Sequence, residues 1–129
     1  MNQIHFRHTD AWILLSIPVN EHGCDLEGLI STADYINHAI PALTEIEEAI
    51  NRFLKAGIIE IKNNFFKYTE QYRAIFIDIE GKNKTFAQKW EEIETYLTQK
   101  AWFAVHEDIN YPLEPALYQN TYTRYFNKK

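Results

Sequence analysis

Few residues in this chain have types and spacing that suit chemistry. His5 and His8 lie three apart, as metal ligands on a helix do, and His22, Cys24 and Asp25 form a short cluster. Thiolate and imidazole together suit zinc. A zinc site of the usual kind asks for more than the chain offers. There is 1 Cys, no Cys-x-x-Cys and no repeated His–carboxylate pair. The expectation is ordinary surface histidines and a partly buried thiol, with no metal and no cofactor. Cys24 beside His22 also pairs the residue types of a nucleophile and its base. A dyad, however, needs the two side chains to meet beside an oxyanion donor, which proximity across one glycine does not supply. A redox-sensing thiol is the milder version, and exposure decides it. Asn37-His38 falls at the end of a helical pattern, where histidine suits the dipole and caps carbonyls. The chain holds no Gly-rich phosphate loop, nucleophile elbow or paired catalytic carboxylate motif. Glu91, Glu92 and Glu94 read as a solvated face. No catalytic residue is assigned, and the chain is read as not an enzyme.

The elements that must position any site are clearer. Ile46, Ala49, Ile50, Phe53 and Leu54 fall on one face of a helix. Thr44 is the expected N-cap, with Glu47 three residues on completing a capping box. Gly57 follows the last periodic residue, where a left-handed C-cap is wanted. Two β-prone runs follow, 58–62 and 65–69, joined by Asn63-Asn64. Asparagine tolerates positive φ, so this pair suits a two-residue hairpin turn.

Upstream, Thr9 or Asp10 is expected to cap a short helix, AWILLSI, ended by Pro18. Residues 20–24 read as a loop. Asp25 is expected to cap a second helix through about Ala39, its apolar face formed by Leu26, Leu29, Ile30, Ala33 and Ile36. Pro41 disfavours helix at Ile40 and turns the chain. Downstream, Thr69 is the expected cap of a fourth helix bearing Tyr72, Ile75, Phe76 and Ile79, with a strand over RAIFIDI as the competing assignment. Gly81 to Lys84 is a break. Thr85 with Gln88 makes a capping box for a fifth helix carrying Phe86, Trp90, Ile93 and Leu97. Residues 106–112 read as an extended linker. Pro115 suits the first turn of a last helix, with Leu117, Tyr118, Thr121, Tyr122 and Tyr125 along one side.

At 129 residues, with 46% hydrophobic and 15% aromatic content, the chain supports one ordinary core. Residues 1–100 are expected to form the main domain. Residues 101–129 form an extension that docks on it or meets a second subunit. Net charge of −5 argues against a broadly basic, nonspecific coat for nucleic acid. One cysteine excludes an internal disulfide framework. No apolar run is long enough for a membrane span, and MNQIHFRHTD lacks the apolar core of a signal peptide, so a cytoplasmic location and no membrane partner are expected.

The segments DLEGLISTADYINHA, TEIEEAINRFLKAGIIEI and NNFFKYT resemble the second helix, third helix and wing of the winged helix-turn-helix superfamily, well known among bacterial transcription regulators. The resemblance implies a mainly α fold: a winged helix-turn-helix with a two-stranded β-hairpin wing and additional C-terminal helices. Members that read DNA insert the third helix into the major groove. Here that helix opens with Glu45, Glu47 and Glu48, which phosphates repel, while the acids suit the helix dipole. For double-stranded DNA the remaining contacts are Asn51, Arg52 and Lys55 on the helix, and Lys62 and Lys67 on the wing. From Thr44 to Thr69 four acids balance four bases, too few free cations for strong phosphate binding. The preferred expectation is a noncatalytic regulatory or protein-interaction module with an unidentified protein partner. Its contacts are Phe65, turned outward if Phe66 and Tyr68 face the core, and the Tyr118, Tyr122, Tyr125 stripe. The alternative is a homodimeric DNA-binding transcription regulator.

Overall fold

The computed structural model describes residues 2–129. The fold is mainly helical, with two small two-stranded antiparallel sheets. In chain order the elements are β1 (Gln3–Ile4), α1 (His8–Leu15), α2 (Leu26–Asn37), α3 (Leu43–Ala56), β2 (Ile59–Lys62), β3 (Phe65–Tyr68), α4 (Glu70–Glu80), α5 (Phe86–Thr98), β4 (Trp102–Phe103) and α6 (Pro115–Lys128). None of these helices is long and apolar enough to cross a membrane.

α1 is the centre of the molecule. Ala11, Trp12, Ile13, Leu14 and Leu15 are all buried, so the helix is apolar on every side, as a core helix is. It packs against α2, α3 and α5. Trp12 satisfies its indole N–H by donating to the Ala33 carbonyl of α2, 3.0 Å away. The expected cap is displaced by a turn. The helix begins at His8, and Asp10 reaches back to accept from the Arg7 N–H at 2.8 Å.

α2 starts as its sequence requires, with the Asp25 carboxylate accepting from Gly28 N–H at 2.8 Å. It stops at Asn37 rather than near Ala39, because His38 adopts left-handed geometry with φ 54°. In α3 the five periodic residues are all buried. Its cap differs from the Thr44–Glu47 box: the helix begins at Leu43, and Glu45 accepts from the Ala42 N–H at 2.8 Å. Glu47 is thereby left for another partner. Gly57 ends the helix with φ 77°.

The hairpin closes on Asn63 and Asn64, whose φ angles of 53° and 66° match a turn with both central residues left-handed. The register pairs Ile59 with Tyr68, Glu60 with Lys67, Ile61 with Phe66 and Lys62 with Phe65. Cys24 adds a single bridge to the far side of β3: its N–H donates to Phe66 O at 3.0 Å, and Phe66 N–H donates to Cys24 O at 2.7 Å. Phe66 and Tyr68 face inward, and the buried Tyr68 hydroxyl donates to Leu14 O at 2.9 Å. Burying rings of this size contributes about 1.5–3 kcal/mol each.

The RAIFIDI segment is helical: Tyr72 and Phe76 are buried in α4, while Ile75 and Ile77 lie exposed. The Thr69 hydroxyl does not cap α4. It donates instead to Gly57 O at 2.8 Å and ties the helix to the hairpin exit. α5 carries the Thr85–Gln88 box as expected. Ile93 and Leu97 of α5 are buried, whereas Phe86 is exposed. Nothing local announces the β1–β4 ladder, which pairs Gln3 with Phe103 and Ile4 with Trp102.

Candidate functional site

The surface of greatest interest is the outer face of α3, because the sequence places most of its polar candidates there. The chain's own segment from Ala104 to Leu113 lies along this face. At the C-terminal end of α3, Val105 and His106 N–H both donate to the Lys55 carbonyl, at 2.8 and 3.1 Å. In the middle, Tyr111 N–H donates to Asn51 Oδ1 at 2.6 Å, and Asn51 Nδ2 donates to Tyr111 O at 2.8 Å. Towards the N-terminal end, Leu113 N–H donates to Glu47 Oε2 at 2.7 Å. This is the partner that Glu47 takes in place of the expected cap. Leu113 itself is buried, so the strap is held by packing as well as by hydrogen bonds.

The candidate nucleic-acid contacts are therefore largely engaged. Asn51 spends its amide on Tyr111 and on Glu47 O. Arg52 points inward, with Nη1 3.0 Å from Asp10 Oδ1 and 3.3 Å from Oδ2. Burial raises the Asp10 pKa, while its hydrogen bonds to the Arg7 backbone and the charge of Arg52 pull it back. Lys55 is half-buried. Between the strap and α3 a cavity of about 460 Å³ holds Glu47 and Glu48 beside Arg52 and Lys55, a mixed lining with no net preference for phosphate. Lys62 is exposed and Lys67 half-buried on the hairpin.

The interaction candidates divide as well. Phe65 is exposed at the hairpin tip. Tyr118 and Tyr125 dock α6: Tyr118 Oη donates to Pro41 O, and Tyr125 Oη donates to Asp34 Oδ2, both at 2.7 Å. Lys129 lies 2.8 Å from the same Asp34, and these two hydrogen bonds hold the Asp34 carboxyl below its usual range. Glu27 of α2 pairs with Arg124 and Lys128 of α6. Tyr122, half-buried like the other two, stacks on the exposed Phe126 with centroids 6.0 Å apart. The extension thus folds onto α2 and α3 of its own chain.

The chemistry-bearing residues of the opening segments lie apart. His8 stacks on Trp90 with centroids 4.8 Å apart, and its Nδ1 lies 2.8 Å from Glu94 Oε1. His22 is exposed. The Cys24 thiol is pushed up to about 12 by burial, with Asp25 adding to the effect, so it carries almost no thiolate at neutral pH. Among the described residues no group of three or more His, Cys, Asp or Glu could hold a metal ion.

Sequence reasoning missed the strap and its anchors, Glu47, Tyr111 and Leu113. The one available signal was the apolar Tyr-Pro-Leu run inside an otherwise polar linker. No protein-family model, curated protein or solved structure matches this chain.

Proposed function

We propose that the chain is a noncatalytic winged-helix module that works through protein contacts rather than by reading DNA. The element order supports the winged-helix part: α1, the Cys24 bridge to β3, α2, α3 and the β2–β3 hairpin follow one another as that scaffold requires. The observation that carries the functional part is the strap. The helix face that would enter a major groove is roofed by the Asn51–Tyr111 and Glu47–Leu113 hydrogen bonds. DNA could reach it only after those bonds and the burial of Leu113 were lost. A regulatory component that recruits or occupies another protein needs no such opening.

The test is binding of folded protein to a random-sequence duplex pool across a salt series, with Lys62→Glu/Lys67→Glu as the control. Arg52 is unsuitable for that control, since it holds Asp10. The expected result is no salt-dependent binding. Binding that weakens steeply with salt and disappears in the control would overturn the proposal in favour of a DNA-binding regulator.

A further inference from the structure

The last helix is held differently from the rest of the fold. In α6 only Thr121 is buried, and its hydroxyl donates within the helix, to Leu117 O at 2.7 Å. Tyr118 and Tyr125 are half-buried against the core, while Leu117 and Phe126 are 49% and 55% exposed. α6 packs chiefly on α2, and its grip there is largely ionic. Arg124 Nε and Lys128 Nζ lie 2.5 and 3.0 Å from the two carboxylate oxygens of Glu27, and Lys129 Nζ lies 2.8 Å from Asp34 Oδ2. All three cations are more than half exposed. Exposed pairs of this kind are individually weak and screened by salt. With so little buried apolar surface, α6 belongs to the part of a fold that opens locally at least cost. Residues 114–117, where the helix begins, are all exposed and leave it free to pivot. The packing of α6 also leaves space: a cavity of about 370 Å³ is bordered by Leu26 of α2, by Ile61 and Phe66 of the hairpin, and by Leu117 and Thr121 of α6.

We infer that α6 is an autoinhibitory arm: it fills, within its own chain, a face of α2 that receives a basic, tyrosine-bearing helix from a partner protein. The inference rests on the reading of the chain as an interaction module, and it names the surface and the chemistry of the partner. The present cover defines that chemistry. Glu27 and Asp34 stand seven residues apart and so share one face of α2. Asp34 is 5% exposed, and the two side chains that satisfy its carboxylate, Tyr125 and Lys129, both belong to the C-terminal end of the chain. When α6 leaves, both carboxylates lose their cations. A replacement that brings lysine or arginine, with a tyrosine hydroxyl to donate, restores every one of these contacts, whereas an acidic segment is repelled by the same two groups. The unfilled cavity beside Leu117 gives a bulkier helix room for packing that α6 does not achieve.

The test has two parts, both on the full chain. Amide hydrogen exchange in rising sodium chloride should show α6 opening about tenfold more often at high salt, as the screening of three exposed pairs implies, with α3 unchanged. Arg124→Ala/Lys128→Ala, at exposed positions, should keep the melting transition of the body and lose protection in α6. A labelled peptide with the sequence of residues 114–129 should then bind this variant about tenfold more tightly than it binds the parent, whose own arm competes for the face. Its binding should shift the amide resonances of Glu27 and Asp34. An α6 protected as strongly as α3 at every salt concentration is an integral helix, and would overturn the inference without any variant. Absence of peptide binding to the folded variant, or binding that leaves the α2 resonances unmoved, would also overturn it while the wider interaction reading stands. That reading falls separately, on salt-dependent binding to DNA. A parent dimer by sedimentation that dissociates with salt would assign the face to a second copy's α6 and overturn the partner-protein occupant.

Discussion

Asn51 and Tyr111, 60 residues apart in sequence, exchange two hydrogen bonds of 2.6 and 2.8 Å, with the asparagine amide standing in for a strand partner of the tyrosine backbone. This clasp holds the Ala104–Leu113 strap on α3. Its donor and acceptor are both required. Asn51→Ala should destabilise the chain by about 1–3 kcal/mol, the cost of part-buried backbone groups left unpaired. Asn51→Asp should do no better despite its shape, because it presents a carboxylate to the Tyr111 carbonyl. Urea denaturation gives the loss, and faster amide exchange across residues 105–113 should localise it to the strap.

Arg52 and Asp10 make a second long-range claim on α3. Arg52→Met leaves the Asp10 carboxylate, 2% exposed, without its cation, and should cost about 3–5 kcal/mol at neutral pH. Asp10 already has a raised pKa through burial, and loss of Arg52 should raise it further. A carboxyl that binds its proton more tightly when folded loses stability as pH rises through its range. The variant's deficit should therefore shrink on acidification towards pH 4, about where the unfolded carboxyl titrates. Asp10→Asn/Arg52→Met should recover much of the loss, and equal deficits in the single and double variants would refute the account.

Glu80 is the least comfortable carboxylate in the fold. Its Oε2 is buried without a hydrogen-bond partner, and burial lifts its pKa from 4.5 to about 7, against a small opposing pull from Lys89. The folded state holds this proton more tightly than the unfolded state. Stability should decline as pH rises from about 4.5 to about 7 and stay at the lower value beyond. Glu80→Gln removes the charge and should stabilise by about 1–2 kcal/mol at pH 8, a figure reduced for partial solvent access, and by little at pH 5. Melting temperatures of both proteins at the two pH values check the sign.

Gly23 approaches β3 so closely that a side chain has no room. Its φ is +70°, and a Cβ would stand 1.8 Å from the Phe66 carbonyl oxygen. Gly23→Ala should cost at least about 2 kcal/mol through left-handed strain and backbone collision. It should also weaken the Cys24–Phe66 bridge that follows. Thiol labelling of Cys24 reads this directly: the buried thiol should react slowly in the parent chain and markedly faster in the variant.

What the sequence determined by itself was the local architecture. The apolar spacing of α3, its Gly57 stop, the Asn63-Asn64 turn, the Asp25 cap, the Thr85–Gln88 box and the Pro115 start all depend on residues within a few positions of one another. Backbone geometry and periodic burial are settled at that range, so these features were legible. The α3 cap was misread for the same reason: Glu45 and Glu47 both lie within reach of the helix start, and only the strap's demand for Glu47 separates them. Tertiary structure alone decided the site. Asn51 and Arg52 read as free polar residues on an exposed helix face and Glu47 as part of a cap, but each meets a partner far along the chain at Tyr111, Asp10 or Leu113. Such pairings depend on how packed elements converge, and no spacing in the sequence encodes them.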